Sequence, residues 1–124
     1  MIYAEEWKEQ DSFIDFVEHA LGILAKEEYD DFLAMFDSSR LSEQDLIFAL
    51  RYLDDTRPVL KIDDPVLVKN KHHRVYFIAF ADGRGYHMDY DLTTTGEIND
   101  LTIQIEFLRK ENCYFVELDD LHTL

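Results

Sequence analysis

Hydrophobic positions in the first half of the chain recur with a helical period. Phe13, Phe16, Val17, Ala20, Leu21 and Leu24 follow i, i+3, i+4 spacing, and Asp11-Ser12 followed by Asp15 reads as the cap that opens a first helix. After Lys26-Glu27-Glu28, a second and shorter stripe runs through Tyr29, Phe32, Leu33 and Phe36, and Ser38-Ser39-Arg40 should break it. Ser42 with Asp45 forms an S-x-x-D capping box, predicting a third helix through Leu46, Ile47, Leu50 and Leu53 that ends towards Pro58.

From about residue 66 the period changes to two. Val66-Leu67-Val68 leads into a predicted turn at Asn70-Lys71-His72, and His73 to Ala81 is a β-prone run. Asp82-Gly83-Arg84-Gly85 is a hairpin signal. Beyond it, Tyr86, Met88, Tyr90 and Leu92 take one strand face and His87, Asp89 and Asp91 the other. Thr93 to Asp100 reads as a loop carrying Gly96. Leu101, Ile103, Ile105 and Phe107 then alternate with Thr102, Gln104 and Glu106. Arg109-Lys110-Glu111-Asn112 turns the chain into a last strand from Cys113 to Leu118. The expectation is one α+β domain over residues 1–124, with a helical part at about 11–55 packed on a curved antiparallel meander at about 59–119. That element order matches the cystatin-like cone fold of the nuclear-transport-factor-2-like superfamily.

Composition supports a single folded unit. The chain has 124 residues, 47% of them hydrophobic, with 9 Phe and 7 Tyr to fill a core. Charge narrows the choice of partner. The net charge is −15, and residues 1–64 carry 17 acids against 6 bases. Nucleic acid and anionic membranes are polyanions that reward Lys and Arg, so neither is expected as a direct partner. A basic protein is well matched. The single Cys113 excludes an intramolecular disulfide and Cys-rich zinc sites. The start Met1-Ile2-Tyr3-Ala4-Glu5-Glu6-Trp7 lacks the basic and apolar regions of a signal peptide, and a cytoplasmic location is expected.

The last third carries a resemblance. Asp91-Leu92, Gly96-Glu97, Asp100-Leu101-Thr102 and Phe107, closed by Leu118-Asp119-Asp120-Leu121-His122, resemble a D-L-x-x-x-G-E-x-x-D-L-T pattern with a D-D-[I/L]-H ending. The pattern is similar to that of an uncharacterised family of small acidic bacterial domains related to cone-fold proteins. Thr93 stands where that pattern has proline, and Ile98 where it has an aromatic residue. Ala25-Lys26-Glu27-Glu28-Tyr29-Asp30 resembles, more loosely, the helix–turn–helix opening of cone-fold proteins. Several such domains accompany polymorphic or contact-dependent growth inhibition toxins as immunity proteins. The resemblance therefore implies a non-catalytic role and brings no catalytic residues or cofactor.

Candidate chemistry is sparse. His87, Asp89 and Asp91 project from one strand face at steps of about 7 Å, as metal ligands, an acid–base set or merely a solvated face would. With Tyr90, His87 and Asp89 make the candidate residues of a small-ligand pocket or a minor acid–base enzyme, although Tyr90 should point the opposite way. His72-His73 with Lys69, Lys71 and Arg74 forms a basic island in a turn. His122 follows Asp119-Asp120, but no G-x-S-x-G elbow offers a nucleophile, so a structural hydrogen bond closing the sheet edge is expected. Tyr3 and Trp7 either pack back on the sheet or serve as interface anchors.

Acidic pairs are the dominant feature. Glu27, Glu28, Asp30 and Asp31 lie between two helices, Asp54 and Asp55 end the third, and Asp63-Asp64 and Asp119-Asp120 are expected in loops. Their summed field suits a cationic partner, and carboxylates would compete for the Lys/Arg groove of a nuclease. The first expectation is thus an immunity protein neutralising a basic nuclease toxin, with Glu27, Glu28, Asp30, Asp31, Asp54, Asp55, Asp63 and Asp64 in the contact. No enzymatic activity, cofactor or metal is expected, and a homodimer through paired sheets is an alternative use of the fold.

Overall fold

Burial follows the helical stripe. In a computed structural model describing residues 1–68 and 75–123, α1 (Glu9–Ala25) buries Phe13, Val17, Ala20, Leu21 and Leu24. Phe13 stacks on Phe107 with ring centroids 4.0 Å apart and meets Tyr114 edge-on at 5.0 Å. An aromatic cluster of this kind is worth roughly 3–5 kcal/mol at its central ring. The helix starts earlier than the Asp11-Ser12 cap predicts: Lys8 is the N-cap and makes no side-chain cap bond. Glu9 and Asp11 instead occupy the first turn, where carboxylates complement the helix dipole.

α2 (Tyr29–Ala34) and α3 (Glu43–Leu50) complete the helical layer, and the Ser42–Asp45 capping box forms as predicted. α3 stops at Leu50 rather than running to Leu53. Tyr52 and Leu53 both take positive φ, and their amides bond back to the Ala49 and Phe48 carbonyls in a Schellman closure. The Tyr52 hydroxyl donates to the Asn99 carbonyl at 2.6 Å and so anchors this unusual end. Residues 59–68 form no strand, a correction to the expected sheet start near 59. The turn expected at Asn70-Lys71-His72 and the island Lys69, Lys71, His72, His73 and Arg74 lie outside the described residues.

The sheet holds β1 (Ser38–Ser39), β2 (Val75–Ala79), β3 (Gly85–Thr94), β4 (Glu97–Arg109) and β5 (Tyr114–Thr123) in the order β1-β5-β4-β3-β2. The α+β expectation holds, with helices against a sheet that is mixed rather than wholly antiparallel. β2 to β5 form the antiparallel meander, whereas β1 runs parallel to β5. Asp37 fastens that edge: its carboxylate takes the Val116 amide at 2.8 Å and the N-terminal ammonium at 2.6 Å. Ile2 exchanges two backbone bonds with Tyr114, at 3.0 and 2.8 Å, capping the same edge one step further along.

Two other sequence expectations change. The predicted loop from Thr93 to Asp100 is a tight hairpin, because Thr95 and Gly96 both take positive φ and the ladder resumes at Glu97. Asp119-Asp120 lies within β5, not in a loop. One core joins the layers: Met88, Tyr90 and Leu92 of β3, Leu101 to Phe107 of β4 at alternate positions, and Val116 and Leu118 of β5 meet the buried helix residues.

Candidate functional site

Alternation on the strands leaves a second sheet face, turned away from the helices. Direct cross-strand partners share a face, so the register builds rows there. Ile78, His87, Glu106 and Glu117 form one row, and Tyr76, Asp89, Gln104 and Asp120 the next. Asp91, Thr102 and His122 form a third. Tyr76 is 55% and Ile78 58% exposed, so this face is open to solvent at β2. Asp100 reaches it through the irregular stretch of β4, where its φ is +67°. A shallow trough of about 280 Å³ results, lined among others by Tyr76, Asp89, Asp91, Asp100 and His122.

The polar groups on the face are ordered by their neighbours. His87 Nε2 lies 2.7 Å from Asp89 Oδ1; a carboxylate accepts, so Nε2 carries the proton. Gln104 Nε2 donates to the same oxygen at 3.1 Å, and Thr102 Oγ1 donates to Asp91 Oδ1 at 2.7 Å. Asp119 is the extra residue of a bulge, since Gln104 pairs with Asp120 but Ile105 with Leu118. From the β1 edge, Arg40 Nε approaches Asp119 Oδ1 at 3.2 Å and Glu117 Oε1 at 3.6 Å. One ligand-capable atom from each of His87, Glu106 and Asp119 lies within 4.8 Å of the others.

His87, Asp89 and Asp91 do share a face, as the alternation predicts. Tyr90 does not join them: it is 1% exposed on the inner face, with its hydroxyl donating to Glu18 Oε2 at 2.8 Å. Burial first, and then the Glu18 hydrogen bond and charge, push its phenol well above the ordinary range. His122 sits on the outer face, past the two residues of β5 that β1 pairs, with Nδ1 3.9 Å from Asp120 Oδ2, too far for a hydrogen bond. Glu106 and Asp119 are the residues the sequence reading missed. Strict alternation in β4 marked Glu106 as outward, but only the strand register puts it beside His87.

The helical-side acids divide by use. Glu27, Glu28, Asp30, Asp31, Asp54 and Asp55 are exposed. Glu43 lies against Asp30, and their shared hydrogen bond and like charge raise the Glu43 carboxyl. Asp54 accepts the Thr56 hydroxyl and amide, which hold its carboxyl low. Asp63 and Asp64 are half-buried structural groups. Asp63 takes the Thr95 amide on Oδ1 at 3.0 Å, and the Thr93 hydroxyl and Gly96 amide on Oδ2, both at 2.8 Å. Asp64 Oδ1 takes the Val66 amide at 3.0 Å. Tyr3 and Trp7 do not pack back on the sheet; they are 73% and 90% exposed.

Among the described residues, no helix is long and apolar enough to cross a membrane. No curated protein and no solved structure matches the chain. A family described as a domain of unknown function, DUF7668, matches residues 21–124, from the second half of α1 to the end of the sequence, and the chain belongs to that family.

Proposed function

We propose that this member of the DUF7668 family is a non-catalytic binding protein that neutralises a basic protein partner, as an immunity protein does for a nuclease toxin. The observation that carries the reading is the acidic outer face, where Asp89, Asp91, Asp100, Glu106, Glu117 and Asp120 converge. Most of them stand on paired strands, so the pattern of charge is fixed before any partner arrives, and little side-chain order remains to be imposed. Tyr76 and Ile78, exposed on the same face, add apolar contact to the charge.

A nuclease groove displays Lys and Arg spaced to hold phosphates, and a rigid carboxylate array competes for those same cations. The net charge of −15 extends the effect beyond contact distance. Such a field raises association rates by roughly 10–10³-fold at low salt. Glu27, Glu28, Asp30 and Asp31 add to the field from the helical side. Asp63 has a different task, because its carboxylate accepts three hydrogen bonds from the β3–β4 hairpin.

Affinity capture of the tagged chain with the products of neighbouring genes tests the reading. A small basic protein that is lethal alone and harmless when co-expressed with this chain is the expected outcome. Capture of no basic partner by well-folded protein overturns it.

A further inference from the structure

His87 and Glu106 are direct cross-strand partners on the outer face, and the β5 bulge brings Asp119 to the same point. Their ligand atoms lie within 4.8 Å of one another and come from three adjacent strands. Carboxylates alone would make an ordinary solvated acidic patch. Here the imidazole is also held in place by a carboxylate that is itself hydrogen-bonded.

The His87 ring is held through Nε2 by Asp89 at 2.7 Å, and Asp89 is held in turn by Gln104 at 3.1 Å. Metal-binding histidines are oriented in this way: one ring nitrogen donates to a carboxylate, which fixes the tautomer and leaves the other nitrogen as a lone-pair donor. In His87 that donor is Nδ1. Asp119 has its own outer partner, since Arg40 Nε engages Oδ1 at 3.2 Å. The bulge matters as well, because it inserts Asp119 as an extra residue opposite β4.

We propose that His87 Nδ1, Glu106 and Asp119 bind one divalent transition-metal ion of the zinc class, leaving at least one coordination position for water or a partner's side chain. One imidazole with two carboxylates suits zinc, manganese or cobalt, and the imidazole disfavours magnesium and calcium. Zinc ligands stand roughly 3.3 Å apart when each is about 2.0 Å from the ion, so binding draws the Glu106 and Asp119 carboxylates inward. The site does not depend on the partner proposed above and stands or falls separately from it.

Calorimetric titration of the chelator-treated chain with zinc tests the site. The expected result is one saturable site per chain. H87Q, E106Q and D119N should each weaken it by at least about 100-fold, and D89N by roughly 10–100-fold through loss of ring orientation. H122Q should leave it unchanged, and circular dichroism verifies that each variant is folded. Long-range proton–nitrogen NMR supplies an independent readout, in which zinc shifts the His87 Nδ1 resonance while Nε2 stays protonated. Absence of a saturable site, wild-type affinity in E106Q and D119N, or unmoved His87 resonances at zinc saturation would each overturn the assignment.

Discussion

The Tyr90 hydroxyl donates to Glu18 Oε2 at 2.8 Å, joining the middle of β3 to α1 across the core. Replacing Tyr90 with Phe strips a half-buried carboxylate of this donor, at a cost of about 1–3 kcal/mol measurable by urea unfolding. The pH dependence has a defined sign. Tyr90 is raised above its ordinary 10.0, so the folded state holds the phenolic proton more tightly than the unfolded state. Its contribution is complete below pH 10 and is lost as pH rises from there through the folded value. Tyr29, Tyr52 and Tyr114 are raised as well, burial being the leading cause, so Y90F should flatten the alkaline loss of stability without abolishing it.

Asp63 ties the segment after α3 to the tip of the β3–β4 hairpin. In D63N one carboxylate oxygen becomes an NH₂ group facing donors, either the Thr95 amide or the Thr93 hydroxyl and Gly96 amide. The expected loss is about 1.5–3 kcal/mol, as for hydrogen bonds to a charged group. Hydrogen exchange should show faster opening of the Thr95 and Gly96 amides in the variant.

Gly85 and Gly83 flank the same turn but tolerate change differently. A Cβ at Gly85 would meet the Phe107 carbonyl oxygen at 1.9 Å, with φ at +146°, whereas a Cβ at Gly83 meets nothing within 4 Å. G85A should destabilise by at least about 3 kcal/mol, as strain and overpacking coincide. G83A carries only the cost of its positive φ, about 1–2 kcal/mol. Equal melting temperatures for the two variants would refute this account of the hairpin.

Glu27 occupies the C′ position of α1 at φ +61°, a place where glycine is usual. Its amide bonds the Leu24 carbonyl at 2.9 Å, and the Glu28 amide reaches the Ile23 carbonyl at 3.4 Å. E27G keeps both bonds and relieves the left-handed strain. We expect it to stabilise the chain by roughly 0.5–1 kcal/mol in thermal unfolding.

Local signals were the legible ones. The Ser42–Asp45 box, the α1 stripe and the alternation of β3 to β5 each depend on residues a few positions apart, and each formed as patterned. What stayed hidden depends on distant partners. Ser38–Ser39 becomes a strand only because β5 lies beside it, and α3 ends early because Tyr52 finds the Asn99 carbonyl. Thr93 to Asp100 reads as one loop because a positive φ is unusual at threonine, so Thr95-Gly96 does not announce the two-residue turn that joins β3 to β4. At the candidate site, His87, Asp89 and Asp91 were legible as one face. Glu106 and Asp119 were not, because strand register and a bulge, rather than spacing in the chain, bring them to His87.

The association rate with the captured basic partner, measured against sodium chloride concentration, tests the central claim most directly. Wild type should associate fast at low salt and slow steeply as salt rises. The outer-face variant D91N/D100N/D120N should lower the low-salt rate roughly tenfold or more and flatten the salt dependence, while E27Q/E28Q/D31N on the helical side should change both less. Wild-type association by the outer-face variant, with the loss confined to the helical-side variant, would contradict the account.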